Sequence, residues 1–343
     1  MKLQVMLLAT ACSLAPRLFA QQPATPVITL KATAAGDMPI SRPSVILSAM
    51  CDDAGNVYAR PFDPYDPMSS FQAPLLEVTP GKAAGSLRIN HSFQSPHAAR
   101  TFFVRAGEIY VLTGPSYGVN DVVEFVSNGS VKTQVRLGGL DSGVEVWHLA
   151  VFKSGEYLLF GVTGENLRTP FTAVFNADGR FVKKIYEPED EDARQKAEGG
   201  DPRYDLCCAN SGNAFAFDQA DVAAGADGNV YLLHGVSPPL IYVISPAGEV
   251  VRKLRIDAGD PALTANSIRF HAGRLAVGFD WLGHVPQNLI KVIDLKGNSI
   301  ADYEVRESAG DSDPILACYG SEGFTLIPRG GDTALHLLTV KLP

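Results

Sequence analysis

Histidines and carboxylates are the residues of this chain that could carry acid–base or metal chemistry. An imidazole can act as a general base or bind a transition metal, and carboxylate oxygens suit calcium. Glu145 and Asp221 are therefore the candidate metal ligands. Asn120 and Asn266 could add neutral oxygen donors. The candidate ligand-binding residues are polar or aromatic side chains: Arg100, Trp147, His148, His234, Asp280, Trp281 and His284.

No spacing among these residues identifies a reaction. The chain has no Cys-x-x-Cys pair, no Gly-x-Ser-x-Gly elbow, no phosphate-binding Walker loop and no dinucleotide fingerprint. The run Asp-Trp-Leu-Gly-His at residues 280–284 could stack on a sugar or peptide ring. The same run could instead cap the apolar gap between two sheets, and the sequence leaves both interpretations open.

The elements that must position these residues recur at a nearly fixed interval. Their spacings are 52, 48, 73, 45 and 50 residues, measured between the glycines that precede each second strand. Those glycines are Gly55, Gly107, Gly155, Gly228, Gly273 and Gly323. A second series of turn glycines has the same period and the same single long interval: Gly81, Gly129, Gly179, Gly248 and Gly297. Two registers with one period predict a repeat architecture.

Each repeat reads as four short strands separated by turns. Residues 226–256 show the full pattern, with β-branched and aromatic runs between Asp-Gly-Asn and Ser-Pro-Ala-Gly turns. One such sheet cannot bury both of its faces, but six sheets packed face to face around an axis can. We therefore predict an all-β, six-bladed β-propeller of four-stranded antiparallel blades. The loops beside the candidate residues are expected on one face, where propellers usually bind.

Residues 27–30, Val-Ile-Thr-Leu, form an apolar strand before the first repeat, and the last repeat offers only three strands. We expect this N-terminal strand to close the last blade, because closure removes the open edges that promote aggregation. The prediction is thus a single propeller domain over residues 21–343.

The run D-G-N-V-Y at residues 227–231, followed by I-Y-V-I-S-P-A-G-E-V at 241–250, resembles the NHL-type repeats of six-bladed propellers. The resemblance extends to residues 53–58, 171–185 and 289–300 and covers nearly all of the mature chain. It implies architecture only. His234 stands where those repeats usually carry an aspartate after the second strand.

The N-terminus is typical of an exported protein. Lys2, an apolar run over residues 5–14 and Ala20 before Gln21 predict a signal peptide over residues 1–20. The expected location is periplasmic or extracellular. Cys12 offers a lipoprotein anchor as an alternative, but Ala9 stands where a lipobox prefers leucine. No other stretch has the length of a transmembrane segment.

The composition of the chain limits the kinds of partner that it can bind. Hydrophobic residues make up 46% of the chain, enough for a sizeable core, and a net charge of −8 argues against a nucleic-acid partner.

The single long interval of the repeat holds an insertion at about residues 188–219. Seven acidic residues lie between Glu187 and Asp201, so the insertion is interpreted as a solvated loop or as a lid.

Four cysteines follow the signal peptide: Cys51, Cys207, Cys208 and Cys318. In an oxidising compartment they could form two disulfides, in any of three pairings, or they could remain buried thiols. Cys51 and Cys318 occupy nearly equivalent points of the first and last repeats. A bridge between them would cross the ring closure and leave Cys207 and Cys208 to pair with each other, which is strained.

These features favour an exported, monomeric propeller that binds a peptide, protein or glycan on its loop-rich face, with no catalysis evident. The alternative is a hydrolase or lyase of the six-bladed type that depends on calcium or zinc. A structural module of an envelope complex is the third hypothesis. The sequence does not decide among them.

Overall fold

The computed structural model of this chain consists of β-strands and turns. It describes residues 26–39, 44–62, 75–78, 85–87, 102–116, 119–125, 129–139, 144–163, 169–185, 221–234, 239–260, 263–281, 288–306, 314–328, 330–331 and 334–343. Within these residues the strands form six sheets, four with four strands and two with five. No helix that is long and apolar enough to cross a membrane occurs in this part of the chain.

The strands alternate with tight turns along the whole described chain. In order they are β1 (Val27–Lys31), β2 (Thr33–Pro39), β3 (Ser44–Cys51), β4 (Val57–Phe62), β5 (Leu75–Val78), β6 (Gly85–Leu87), β7 (Phe102–Arg105), β8 (Glu108–Ser116), β9 (Val119–Phe125), β10 (Val131–Arg136), β11 (Glu145–Val151), β12 (Tyr157–Thr163), β13 (Thr169–Phe175), β14 (Phe181–Ile185), β15 (Asp221–Ala224), β16 (Val230–His234), β17 (Leu240–Ile244), β18 (Val250–Arg255), β19 (Leu263–His271), β20 (Arg274–Trp281), β21 (Asn288–Asp294), β22 (Ser299–Arg306), β23 (Pro314–Tyr319), β24 (Gly323–Pro328), β25 (Gly330–Gly331) and β26 (Ala334–Lys341).

The sheets follow one another in chain order. Sheet 1 contains β3 to β6 with β25, sheet 2 contains β7 to β10, sheet 3 contains β11 to β14, and sheet 4 contains β15 to β18. Sheet 5 contains β19 to β22 with β1, and sheet 6 contains β23, β24, β26 and β2. The first strand of each sheet contacts the first strand of the next, and β23 contacts β3. The prediction of an all-β, propeller-like architecture is confirmed.

The predicted turn glycines lie at turns that require them. Gly228 has φ +89°, and its N–H donates to the carbonyl oxygen of Gly225 at 3.2 Å. A side chain is strained at such a φ, so glycine is favoured there. The other described glycines of both series also have positive φ, and Gly81 lies outside the described residues.

An aspartate organises the hairpin turn in the best-matched repeat. The Asp227 carboxylate accepts hydrogen bonds from the Asn229 amide group (2.8 Å) and from the Tyr231 hydroxyl (2.9 Å). In sheet 1, Asp52 accepts bonds of the same kind from Asn56 and Tyr58, although Asp52 precedes its asparagine by four residues and Asp227 precedes its own by two. Burial, followed by the bond to Asp227, raises the pKa of Tyr231. The recurring Asp-Asn-Tyr residues are therefore turn-forming residues, which explains why the repeat resemblance implies architecture alone.

The N-terminal segment joins two sheets rather than one. Strand β1 runs parallel to β22 in sheet 5, with Val27 opposite Asp302. The chain then changes sheet at the buried Ala32, and β2 pairs antiparallel with β26 in sheet 6. The prediction that residues 27–30 complete the last blade is wrong, because those residues pair with β22. The strand that follows, β2, lies along the open edge of β26.

The core lies between the facing surfaces of neighbouring sheets. The largest apolar cluster extends over sheets 1 to 4 and includes Phe160, Phe175 and Tyr242. The cluster between sheets 6 and 1 consists of aliphatic side chains and a cysteine, among them Ala49 and Ala317, and none of its described residues is aromatic. We call this second interface the seam.

A disulfide joins Cys51 of β3 to Cys318 of β23 across the seam, with the two Cα atoms 5.4 Å apart. Cys207 and Cys208 lie outside the described residues, so their pairing stays open. The predicted signal peptide over residues 1–20 and the predicted insertion at about residues 188–219 also lie outside them.

Candidate functional site

Several predicted site residues lie at one end of their sheets. Asp221 and Glu145 begin the first strands β15 and β11. His234 ends the second strand β16, while Asp280 and Trp281 end β20. Because first and second strands pair antiparallel, the start of one lies beside the end of the other. Arg100 and His284 lie outside the described residues.

Four first strands carry a register irregularity in the middle of their pairing. It skips Trp147 in β11 and Asn266 in β19. The equivalent positions in β3 and β23 are Leu47 and Ala317. An irregularity of this kind leaves a residue unpaired in the ladder and re-aims it, and such positions are frequent beside binding sites. Two of the predicted site residues therefore occupy the positions at which these strands leave regular pairing.

The structure brings His148 and His234 to the same aromatic ring. The Phe160 ring centroid is 5.8 Å from His148 and 5.1 Å from His234. His234 in turn packs edge-on against Tyr242 at 4.8 Å. His234 is only 1% exposed, whereas His148 is half-buried. His234 thus packs sheet 4 against sheet 3. Of these two histidines, His148 is the one with an exposed part that could meet a ligand.

Asp221 and Arg269 form a buried ion pair where the first strands of four sheets meet. The Arg269 guanidinium bonds to the Asp221 carboxylate at 2.5 Å and donates to the Ala317 carbonyl oxygen at 2.7 Å. It also donates to the carbonyl oxygen of Ala49. These partners lie in β15, β23 and β3, so one side chain on β19 links sheets 4, 5, 6 and 1. The arrangement stabilises the junction of these strands.

The Asp221 carboxylate also accepts two backbone hydrogen bonds, one from β15 and one from β19. Its Oδ1 accepts the Val222 N–H at 2.9 Å, and its Oδ2 accepts the Ile268 N–H at 3.0 Å. The cation that faces this carboxylate is therefore a guanidinium, and a metal ion would have to displace it. Among the described residues no three histidines, cysteines or carboxylates lie close enough together to hold a metal ion.

Arg269 is the residue that sequence analysis missed. It stands in a strand of mostly apolar and small residues, LTANSIRFH, that the repeat pattern assigns to the innermost position. An arginine there is a usable signal, since buried charges are almost always paired. The pattern could not name the partners, which come from three other sheets.

A second arginine, Arg60, is also buried. It lies in sheet 1, near the end of the second strand β4. It lies in β4 opposite Ser48 and is 4% exposed. Burial lowers the pKa of Arg60 to about 10. The guanidinium still carries its proton at neutral pH, so this end of the sheet holds a desolvated positive charge.

The clearest carboxyl pair lies at the other end, in sheet 2. Lys132 bridges Glu108 and Glu124, with Nζ 3.0 Å from Glu124 Oε1, and the Tyr110 hydroxyl donates to Glu108. The hydrogen bond from Glu124 and the contact with Lys132 lower the pKa of Glu108. Burial, followed by the bond to Glu108, raises the pKa of Glu124. The pKa values of the two carboxyl groups are thus shifted in opposite directions.

Comparisons with known proteins identify no family for this chain. No family model matches the chain, and no curated protein matches it. A protein of unknown function from Bacteroides caccae is 18% identical over 63% of this chain and 67% of its own, with a TM-score of 0.34.

Two further solved structures align over most of the chain. The PQQ-bound aldose sugar dehydrogenase of Streptomyces coelicolor is 11% identical over 93% of this chain and all of its own, with a TM-score of 0.48. The WD40 β-propeller domain of Doa1 is 8% identical over 90% of this chain and 97% of its own, with a TM-score of 0.46. At these identities the likeness concerns the fold alone.

Proposed function

We propose that this protein is an exported six-bladed propeller that binds a peptide, protein or glycan on the face bearing Trp147, His148 and Trp281, without catalysis of its own. The circular order of contacts among the six first strands supports the blade number. The pairing of β2 with β26 supports closure of the last blade by an N-terminal strand. On this reading one domain extends over residues 21–343.

The observation that carries the proposal is the Asp221–Arg269 ion pair. Metal-dependent hydrolysis on such a scaffold needs carboxylates aimed at a cation near the axis. Here the buried carboxylate near the axis is neutralised by Arg269 and by two backbone N–H groups. That polar group holds the strands together, so binding is assigned to the surrounding loop-bearing face.

The disulfide supports an oxidising location. Disulfides persist in secreted and periplasmic proteins and are rare in the cytosol. The Cys51–Cys318 bridge is therefore consistent with the signal peptide predicted over residues 1–20.

The test is a screen of the purified mature protein against immobilised glycans and a peptide library, followed by isothermal titration of any hit. Trp147→Ala and Trp281→Ala are each expected to weaken binding at least about tenfold, because aromatic residues dominate binding energy. Glu249→Ala, in the exposed turn between β17 and β18, is the matched control and should bind like the wild type.

Metal analysis after exhaustive dialysis provides the contrary outcome. About one equivalent of calcium or zinc, together with hydrolysis of an ester or lactone that is lost on chelation, would overturn the binding proposal. Wild-type affinity in both tryptophan variants would instead move the ligand away from this face.

A further inference from the structure

The outermost strands of sheets 2, 3 and 4 are exposed and positively charged. No described strand pairs beyond β10, β14 or β18. Their sequences, VKTQVR, FVKKI and VVRKLR, contain seven lysines and arginines and no acidic residue. In a chain whose net charge is −8, this separation of charge sets one part of the surface apart.

Exposed apolar side chains accompany these charges. Phe181 and Val182 in β14 are 44% and 48% exposed, and Val251 in β18 is 53% exposed. The turn before β18 touches β14, since Gly248 packs against Lys183. Strands β14 and β18 thus form one continuous surface, which we call the basic rim. Its charged residues are Lys183, Lys184, Arg252, Lys253 and Arg255.

Lysines of the basic rim lie over aromatic faces. Lys184 Nζ is 5.8 Å from the Phe171 ring centroid, and Lys253 Nζ is 5.6 Å from that of Tyr242. Such contacts hold the side-chain stems along the sheet while the ammonium groups stay near solvent. The positive charges are therefore held in place along the strand edge.

The rest of the same molecule shows what such an edge can accept. In sheet 5 the outermost repeat strand, β22, is covered by β1, an extended segment that pairs with it in parallel over Val27–Lys31. The outer edge of a sheet in this fold therefore takes an added strand. Strand β18 offers the same kind of edge, and no strand of the described ranges pairs with it there.

The backbone groups of β18 are suitably directed. The Ile256 N–H donates inward to the carbonyl oxygen of Pro239. Inward and outward groups alternate along an antiparallel pair, so Leu254 also points inward, while Lys253 and Arg255 point their N–H and C=O groups outward. An incoming strand would find a row of donors and acceptors flanked by positive side chains.

We propose that the basic rim binds an extended acidic peptide segment of a protein partner, which adds as a fifth strand along β18. The main chain of the peptide satisfies the outward backbone groups, and its acidic side chains pair with the lysines and arginines. Val251 and its neighbours on β14 supply the apolar contact. This surface is distinct from the loop-bearing face of the proposed function, and either proposal can fail alone.

The test uses a fluorescent ten-residue peptide of alternating glutamate and valine, with anisotropy as the readout. Lys253→Glu/Arg255→Glu is expected to weaken binding by about tenfold or more, since like charges then face the peptide. The control Lys31→Glu/Arg306→Glu makes the same change of charge on the covered edge of sheet 5 and should alter affinity by less than about threefold.

A peptide of the same sequence with alternate backbone N-methyl groups separates strand addition from simple charge attraction. It should bind about tenfold more weakly, because the methyl groups remove the donors that pair with β18. Equal binding of both peptides would overturn the proposal. So would binding to vesicles of anionic lipid with no binding of the peptide. Aggregation of the rim variant with unchanged peptide affinity would show that the charges only protect the edge from self-association.

Discussion

Two interfaces of this molecule reach stability by different chemistry. Sheets 3 and 4 meet through large rings, with Phe160 packed against His234 and Tyr242 beyond it. The seam between sheets 6 and 1 has aliphatic side chains and no aromatic ring among its described core residues, together with the Cys51–Cys318 bridge. Arg269 adds hydrogen bonds to a backbone carbonyl on each side of the seam.

The difference shows how a chain joins its first and last repeats. Interfaces between sequential sheets form between segments that are neighbours in the chain, so burial of large side chains is enough to hold them. The two sides of the seam are far apart in sequence, and closing so long a loop has a larger entropic cost. A covalent link and a shared guanidinium add stabilisation to the aliphatic packing of the seam.

The largest expected effect comes from removing the guanidinium. Arg269→Met should lower the free energy of unfolding by about 3–5 kcal/mol, because Asp221 is left as a buried, uncompensated charge. Urea unfolding followed by tryptophan fluorescence measures the change. Asp221→Leu/Arg269→Met should recover much of the loss, since no charge remains buried. A double variant as unstable as the single one would show that the hydrogen bonds, rather than the charge, hold the seam.

A ring deletion tests the other interface. Phe160→Ala should lower the free energy of unfolding by about 3–5 kcal/mol through lost burial and the cavity that remains. Phe181→Ala is the matched control, because that ring is 44% exposed, and it should change stability by less than about 1 kcal/mol. The Phe160→Ala loss should be the same with and without a reductant. A loss that depends on the reductant would mean that the two interfaces are coupled.

Removal of the bridge should have a smaller effect. Cys51→Ala/Cys318→Ala is expected to cost about 2–4 kcal/mol, since the bridge closes a loop between residues 267 apart in sequence. Thermal unfolding compares this variant with the wild type in oxidising and reducing buffer. The wild type should lose stability on reduction, and the variant should not. If the wild type lost no stability on reduction, the stabilisation of the seam would come from Arg269 and not from the disulfide.

The carboxyl pair in sheet 2, Glu108 and Glu124, lies outside both interfaces. Its variants are expected to change the free energy of unfolding least. The pKa of Glu124 is raised. The stability that Glu124 contributes is therefore present when the pH is below the ordinary pKa of a glutamate, and it is lost as the pH rises through the raised pKa. Glu124→Gln keeps a neutral group at every pH. Relative to the wild type it should be more stable at pH 7 than at pH 4, by less than about 1 kcal/mol. Urea unfolding at both values measures this.

Glu108→Gln provides the opposite sign as a control. The pKa of Glu108 is lowered. The stability that Glu108 contributes is therefore present when the pH is above the ordinary pKa of a glutamate, and it is lost as the pH falls through the lowered pKa. This variant should be less stable than the wild type at pH 7, with a smaller deficit at pH 4. The same sign in both variants would contradict opposite pKa shifts of the two carboxyl groups.

The features that sequence analysis predicted are the local ones. Glycines such as Gly228 and Gly248 repeat at one period because each hairpin needs a residue with positive φ, and such turns have short-range signatures. The all-β, propeller-like arrangement followed from that repetition. The option of a bridge from Cys51 to Cys318 followed from their equivalent places in the repeat.

The features that it missed are set by distant partners. The apolar residues of β1 predict a strand but do not distinguish the edge of β22 from that of β26. His234 was predicted as a binding residue, yet it is buried against Phe160 and Tyr242, which belong to different strands. The role of Arg269 depends on atoms from three other sheets, which no spacing along the chain could indicate.

The pairing of β2 with β26 has a consequence for how the protein is made. Thr33 and Thr339 bond across the pair although 306 residues separate them. Strand β2 leaves the ribosome early and has to wait for almost the whole chain before its partner exists. Until then the edge of β2 is exposed, and folding is expected to be slow and to finish in one late step. Loss of the last ten residues, which include β26, would therefore leave β2 without its partner strand.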